Sequence, residues 1–168
     1  MATVGNNLSS YDPSDLPNGA RFKVGIVVSQ WNIEYTAGML NGALEVLKEA
    51  GVIQVTTKWV PGSFELVLGS QMLLEAEDLD IDGVIAIGSV IRGETAHFDY
   101  VCSAVAQGIK DVNLKTGKPV AFCVLTDNSS EQAKARSGGK HGNKGTEAAV
   151  VILKMLALRS ELLLDIDT

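Results

Sequence analysis

Short apolar runs alternate with amphipathic segments along most of the chain, from residue 22 onward. The apolar runs are nearly continuous, as expected of strands that are buried on both faces of a parallel sheet. The intervening segments repeat apolar residues every three to four positions, which is typical of helices packed on such a sheet. The predicted strands span residues 22–30, 52–60, 82–91 and 119–126, and the predicted helices span residues 34–50, 64–77, 97–115, 129 or 130–136, and 146–163.

This alternation predicts an α/β fold with three layers, α/β/α, around a central four-stranded parallel sheet of the flavodoxin-like kind. A length of 168 residues suits one such domain, which we assign to residues 21–168. Residues 1–20 contain two prolines, two glycines and several polar residues. We expect them to form an extended N-terminal arm.

Composition narrows the class of partner. The net charge of −6 and the pI near 4.9 argue against binding to nucleic acid or to an anionic membrane, both of which attract clustered Lys and Arg. No apolar run is long enough to span a bilayer and the N-terminus lacks a signal core, so a cytoplasmic protein is expected. Cys102 and Cys123 lie in apolar stretches and are expected to be buried, free thiols. No CxxC or HExxH motif occurs, and no metal is expected.

Ligands of parallel α/β sheets bind beyond the carboxyl ends of the strands. The residues that follow the four predicted strands are therefore the candidates for chemistry. They are Trp31 and Asn32, residues 61–65, residues 92–97, and residues 126–128.

The third strand end combines an anion site with a proton donor or acceptor. Gly93, Glu94 and Thr95 lead into a helix, whose first N–H groups and dipole favour an anion. His97 follows within one turn, and a histidine can transfer protons near neutral pH. The alternative interpretation is that Thr95 only caps the helix and that His97 is structural.

The first two strand ends carry an aromatic and a carboxylate. Trp31 could stack on a planar ring, or it could be a core or interface aromatic. Ser63 is predicted to cap a helix, with Glu65 in its first turn. Glu65 could accept hydrogen bonds from ligand hydroxyls, or it could simply favour the start of a helix.

Basic residues are concentrated late in the chain, around a glycine-rich segment at residues 137–145. We expect this segment to be a flexible strap that carries cations, although a solvated charged face is the ordinary interpretation. The segment does not fit the Walker pattern, and the chain has neither GxSxG nor GxGxxG. Nucleotide hydrolysis and Rossmann-type dinucleotide binding are therefore poorly supported.

The motifs VPGSFE, AIGSVIRGETAHFDYVC, FCVLT, EQAKAR and GNKG occur in this order and with this spacing, and together they resemble the lumazine synthase family. The resemblance covers about residues 21–165. It implies a transferase of riboflavin biosynthesis that joins 5-amino-6-(D-ribitylamino)uracil to 3,4-dihydroxy-2-butanone 4-phosphate. Phosphate and water are released in that reaction, and neither a metal nor an organic cofactor takes part.

The resemblance also implies roles for individual residues. The residues that would contact the pyrimidine and its ribityl chain are Trp31, Asn32, Ser63, Phe64, Glu65, Val90 and Ile91. The residues that would bind the phosphate are Gly93, Glu94, Thr95 and Arg136. His97 would transfer protons and Glu147 would support that transfer. Phe122, Arg136 and Lys144 would complete the pocket of an adjacent subunit.

Assembly is a further implication of the resemblance. The family forms pentamers, and some members build hollow shells of sixty subunits, which the short strap at residues 136–145 favours here. Riboflavin synthase is a further implied partner. The chain departs from the family at three places: Trp31 replaces the commoner Phe, Cys123 replaces the commoner Gly, and the N-terminal arm is longer. Within that arm, residues 3–8 are expected to add a strand to a neighbour's sheet.

Three other functions remain open on the sequence. A related pentameric riboflavin synthase would act on the lumazine product, but GETAH together with GNKG favours the lumazine synthase. A non-catalytic flavin-binding or shell protein would bind such ligands without turnover. A flavodoxin-like electron carrier is less favoured, because no acidic loop that could face FMN is evident.

Overall fold

The computed structural model describes residue 7 and residues 9–164. After a 3₁₀ turn at Pro13–Asp15, the four predicted strands and five predicted helices follow in the predicted order, and two short strands are added to them. They are β1 (Lys23–Ser29), α1 (Ile33–Glu49), β2 (Gln54–Val60), α2 (Leu66–Glu75), β3 (Gly83–Ile91), α3 (His97–Thr116), β4 (Val120–Asp127), α4 (Ser130–Arg136), β5 (Ser137–Gly139), β6 (Gly142–Asn143) and α5 (Lys144–Leu164).

Strands β1 to β4 form the predicted four-stranded parallel sheet, and their order in it is β2-β1-β3-β4. The order reverses between β1 and β3, since the chain first steps outward to β2 and then crosses back. Such a reversal leaves a crevice at the carboxyl ends of the two central strands. Strand β2 is at the edge and only partly buried, whereas β1 and most of β3 are buried.

Two hydrophobic cores lie on opposite faces of the sheet and make the predicted three layers. Helices α1 and α5 pack on one face over residues such as Ile26, Ile85 and Cys123. Helices α2 and α3 pack on the other face over residues such as Val27 and Val84. Burial of these apolar side chains is the main force that holds the layers together.

Glycines end two helices as predicted. Gly51 follows α1 with φ 80° and Gly117 caps α3 with φ 62°, both in the left-handed region that glycine adopts without strain. Ser129 caps α4 and accepts from Gln132 N. The prediction for α2 was wrong at its start, because the helix begins at Leu66 and Glu65 occupies the capping position.

The glycine-rich strap is more ordered than predicted. Its ends pair as the antiparallel strands β5 and β6, and the Asn143 side chain donates to Gly38 O on α1 at 2.8 Å. Gly145 packs so closely on the Met39 carbonyl that a Cβ atom there would overlap it. Pairing and close approach to α1 therefore fix a segment whose composition indicates flexibility.

The described part of the arm lies against its own domain. Tyr11 and Leu16 pack on the α1–α5 core, and the Tyr11 hydroxyl donates to Glu49. Asn143 N donates to Ser9 Oγ, which ties the arm to the strap. The strand predicted at residues 3–8 falls outside the described residues, apart from residue 7.

Burial of the two cysteines differs from the prediction. Cys123 is fully buried, and burial raises the pKa of its thiol to about 12, so it is inert as a nucleophile. Cys102 is only partly buried, contrary to expectation, although it lies on the same side of α3 as the buried residues Phe98 and Val105.

No helix among the described residues is long and apolar enough to cross a membrane.

Candidate functional site

A cavity of about 850 Å³ lies at the carboxyl ends of the strands, where the strand order reverses. Residues from three of the four predicted strand ends line it, as the general rule for such sheets requires. The predicted site residues among its walls are Trp31, Asn32, Ser63, Phe64, Glu65, Val90, Ile91, Gly93, Thr95 and His97.

The loop after β1 supplies an exposed aromatic wall. Trp31 N donates to Pro61 O, which holds the loop against the end of β2. Asn32 takes a left-handed conformation with φ 58° and donates from Nδ2 to Ser89 O at 2.9 Å. The loop is thereby fixed to both neighbouring strands, and the Trp31 ring is left exposed at the cavity.

The turn after β2 buries the Ser63 hydroxyl and leaves the Glu65 side chain exposed at the cavity. Ser63 is buried, and its Oγ has no hydrogen-bond partner among the residues that the structure describes. It does not cap α2, contrary to the prediction. Glu65 stands at the capping position without a side-chain capping bond. A Cβ atom on Gly62 would lie 2.9 Å from Glu65 Oε2, so glycine there makes room for the carboxylate.

The loop after β3 leads directly into α3. A Cβ atom added at Gly93 would meet nothing, so this stretch of backbone is open to close approach. Thr95 is not the helix cap, because Ala96 holds that position and Thr95 Oγ1 accepts only a long 3.4 Å bond from His97 N. His97 is the first residue of α3 and lines the cavity, while Glu94 is exposed and is not part of the wall.

Sequence reasoning missed five residues of the cavity. Four lie on α3 and follow His97 on the side of the helix that faces the cavity. The helical spacing of three, four and seven positions from His97 was the signal that could have found three of them. The missed residues are Ser89, Phe98, Tyr100, Val101 and Ala104.

The remaining predicted site residues do not line this cavity. Phe122 is exposed on the edge strand β4. Arg136 Nη1 donates to Gln132 O at 3.0 Å and lies 3.7 Å from Asp127 Oδ1. Lys144 Nζ is 2.8 Å from Glu147 Oε2. That Phe122, Arg136 and Lys144 complete the pocket of an adjacent subunit, as the resemblance implies, stays a prediction.

Two carboxyl groups beside these residues, those of Asp127 and Glu147, have shifted pKa values. Burial raises the pKa of the Asp127 carboxyl, and the Arg136 guanidinium offsets part of that rise. Burial also acts to raise the pKa of Glu147, but its interactions, chiefly with Lys144, outweigh that effect and the net pKa is lowered. Glu147 is therefore held in its charged form near neutral pH.

The arrangement is suited to binding and proton transfer. Aromatic side chains form one wall, the Glu65 carboxylate is exposed beside them, and His97 stands beside an open stretch of backbone. These features fit a planar polar ring, and a first helical turn fits an anion. No group of three or more His, Cys, Asp or Glu side chains that could hold a metal is found among the described residues.

Comparisons with known proteins agree on one family. The model of the family described as 6,7-dimethyl-8-ribityllumazine synthase matches residues 21–160. Proteins of that name from Christiangramia forsetii and Flavobacterium johnsoniae are 54% and 53% identical over 163 residues, 96% of this chain and 96% and 85% of their own lengths. One from Porphyromonas gingivalis is 49% identical over 160 residues, 94% of this chain and 98% of its own length.

Proposed function

The chain belongs to the 6,7-dimethyl-8-ribityllumazine synthase family, a family of riboflavin biosynthesis enzymes, and from this membership we propose how its cavity works. The protein condenses 5-amino-6-(D-ribitylamino)uracil with 3,4-dihydroxy-2-butanone 4-phosphate and releases phosphate and water. It is a transferase that acts in the cytoplasm without a cofactor. The observation that carries the proposal is the cavity at the reversal of strand order, with Trp31 and His97 on its walls.

The pyrimidine occupies the part of the cavity between the ends of β1 and β2. Trp31 stacks on the ring, and Phe64 and Asn32 border it. Ser63, which lies in the cavity wall, borders the ring beside Phe64. The Glu65 carboxylate accepts hydrogen bonds from the ribityl hydroxyls, and Val90 and Ile91 close the floor through their backbone.

The organophosphate occupies the part of the cavity at the start of α3. Backbone N–H groups of Gly93, Glu94 and Thr95 donate to its oxygens, where the helix dipole also favours negative charge. Arg136 supplies the cation from an adjacent subunit. Support for this comes from its position, since Arg136 lies outside the cavity of its own chain.

Proton transfer is the main chemical task of the site. Imine formation, phosphate elimination and ring closure move protons, and none of these steps needs a hydride or an electron. His97 lies between the two substrate positions and can take and return those protons. Glu147, held charged beside Lys144, supports the transfer in the shared site. Holding both substrates in one cavity supplies much of the remaining acceleration.

The site is shared within a homopentamer. Phe122, Arg136 and Lys144 of one copy complete the pocket of the next. The short strap, ordered as β5 and β6, is compatible with twelve pentamers forming a shell of sixty subunits. Riboflavin synthase is the partner that such a shell would serve.

Turnover with purified protein tests the reaction. With both substrates present, the absorbance of 6,7-dimethyl-8-ribityllumazine should appear, and it should be absent without the butanone phosphate. Supplying lumazine alone tests the riboflavin synthase alternative, since only that enzyme would then form riboflavin. Binding of the pyrimidine or of the lumazine without any product in these assays would show a non-catalytic protein and would overturn the proposal.

A further inference from the structure

Arg92 is the side chain that joins the three segments around the start of α3. Its Nη1 and Nη2 donate to the two carboxylate oxygens of Asp99, at 3.1 and 2.8 Å. Its Nε donates to Asn128 Oδ1 at 3.0 Å. The guanidinium carbon lies 4.1 Å from the centre of the Phe98 ring. The Arg92 backbone N–H donates to Asp127 O at 2.9 Å, so its main chain is fixed as well.

These contacts close a short loop. Arg92 stands at the end of β3 and Asp99 in the first turn of α3, so the pair clasps the six residues between them. Those six residues include the predicted phosphate-binding backbone at Gly93–Thr95 and the predicted proton-transfer residue His97. The bond to Asn128 ties the clasped loop to the loop after β4, 36 residues further along the chain.

The Arg92 guanidinium is already committed by these bonds. Three of its five N–H donors are used within the chain, and its face is stacked on Phe98. It is therefore a poor candidate for direct phosphate binding, although its sequence position beside Gly93 invites that interpretation. A lysine at this position could not replace Arg92, since an ammonium group cannot make the two parallel hydrogen bonds to the Asp99 carboxylate.

The contribution of this clasp to overall stability is small. The side chains of Arg92 and Asp99 are 42% and 58% exposed, and ion pairs so open to water add little to the stability of a fold. A side chain that contributes little to stability but fixes a loop through four contacts acts mainly on geometry. The guanidinium beside Asp99 also holds the pKa of that carboxyl below its usual value, so the pair stays charged at neutral pH.

We propose that Arg92 is a positioning residue that clasps residues 93–98, so that the phosphate-binding backbone and His97 keep the geometry that the reaction needs. The kinetic consequence rests on the proposed function. The structural consequence, a change in the surroundings of His97 when the clasp is opened, does not.

Kinetics of Arg92→Lys provide the first test. The expected result is a fall in kcat and a rise in the KM of the phosphorylated substrate, each by about tenfold, since small misplacements of reacting groups carry large costs. The KM of the pyrimidine should change less than about twofold. Asp99→Asn should give a similar loss, and the double variant should be no worse than Arg92→Lys alone, because both changes open the same clasp.

The matched control is Lys23→Met. Lys23 forms an ion pair with Asp80 at 2.8 Å, and these side chains are 38% and 71% exposed, close to the values for Arg92 and Asp99. The pair lies at the start of β1, at the opposite end of the sheet from the cavity. Its loss should lower the melting temperature about as much as Arg92→Lys does, with kinetics unchanged.

Nuclear magnetic resonance separates the clasp from the chemistry. The chain has two histidines, so a His141→Gln variant assigns the His97 ring signals. Those signals should shift or broaden in Arg92→Lys and Asp99→Asn but not in Lys23→Met. If the wild-type protein made no lumazine, the proposed function would fail while this measurement still decided the clasp.

Unchanged His97 signals in Arg92→Lys would overturn the inference. A rise in the KM of the phosphate substrate alone, with kcat and signals unchanged, would also overturn it, by making Arg92 a direct ligand.

Discussion

Two regions of the molecule hold the predicted site residues, and their side chains are in opposite states. Around the cavity, aromatic rings are left open: Trp31, Phe64 and Tyr100 are 72%, 59% and 75% exposed. In the region of α4, the strap and the start of α5, the charged groups are already paired. Arg136 lies near Asp127, and Lys144 binds Glu147.

This contrast indicates different roles for the two regions. Exposed aromatic side chains around a cavity are typical of a ligand-binding surface. Cations and carboxylates held by their own chain form a preorganised charged group that needs no ligand to set its geometry. The proton-transfer candidate lies in the first region and the candidate phosphate clamp in the second. The proposal that two copies of the chain form each complete site combines these two regions.

The largest expected effect comes from the first region. His97→Ala should lower kcat by about 10²–10⁴-fold, the usual contribution of general acid–base catalysis, with pyrimidine affinity nearly unchanged. His141→Ala is the matched control, because it removes the other histidine, which is in the strap. Steady-state kinetics and a direct binding titration give both quantities. Wild-type turnover in His97→Ala would remove the proton-transfer role.

The second region should affect the other substrate. Arg136→Ala should raise the KM of the phosphorylated substrate by about 10–100-fold, as expected from the loss of a charge-assisted bond worth about 1.5–3 kcal/mol. The KM of the pyrimidine should hardly change. Arg159→Ala is the control, since Arg159 likewise donates to a backbone carbonyl, Gly117 O. Equal losses for both substrates would contradict a phosphate clamp.

Stacking in the cavity should have a smaller effect. Trp31→Ala should weaken pyrimidine binding by about 1–3 kcal/mol, as when an aromatic platform under a base is removed. Trp59→Ala removes an exposed tryptophan from the edge strand β2 and should leave affinity unchanged. Fluorescence or calorimetric titration measures both variants. If Trp31→Ala bound the pyrimidine as tightly as the wild type, the ring would not stack there.

The smallest effect concerns the N-terminal arm. The hydrogen bond to Glu49 is the main cause that raises the pKa of Tyr11 to about 12, and burial and the nearby carboxylates add to it. A folded-state pKa above the ordinary value of 10.0 means that this bond stabilises the fold fully below pH 10 and is lost as the pH rises through 12.

Comparison of Tyr11→Phe with the wild type isolates that bond. At pH 8 the variant should be less stable by about 1 kcal/mol or less, the net value of one hydrogen bond. The difference should vanish as the pH approaches 12. Denaturant unfolding at several pH values measures it. A difference that stayed constant with pH would show that the hydroxyl does not lose its bond on ionisation.

Local pattern was enough to predict the layered fold. Residues such as Ile26, Val27, Met39 and Leu47 are apolar at the right period and are buried as expected. The hairpin of the strap was missed, because it depends on the bond from Asn143 to Gly38, 105 residues away. Composition carries no information about a contact at that separation.

The rule that ligands bind beyond the carboxyl ends of parallel strands predicted most of the cavity, because the hydrophobic pattern had already located those strand ends. Trp31, Ser63 and Gly93 follow strands, and parallel strands bring their carboxyl ends to one edge. Tyr100 was missed because an exposed residue on an amphipathic helix looks like an ordinary surface position. The part played by Arg92 was missed because it requires Asn128, which comes from a different strand end.

Complementation between two impaired variants tests the shared site most directly, provided that the phosphorylated substrate is kept far below the KM of Arg136→Ala, so that each variant alone has little activity. His97→Ala and Arg136→Ala chains, produced together in one cell, should assemble into mixed rings. A random one-to-one mixture should restore about a quarter of wild-type activity, since one site in four pairs an intact His97 with an intact Arg136 of the neighbour. Activity no higher than that of the separate variants would contradict the account, because both residues would then serve the same copy.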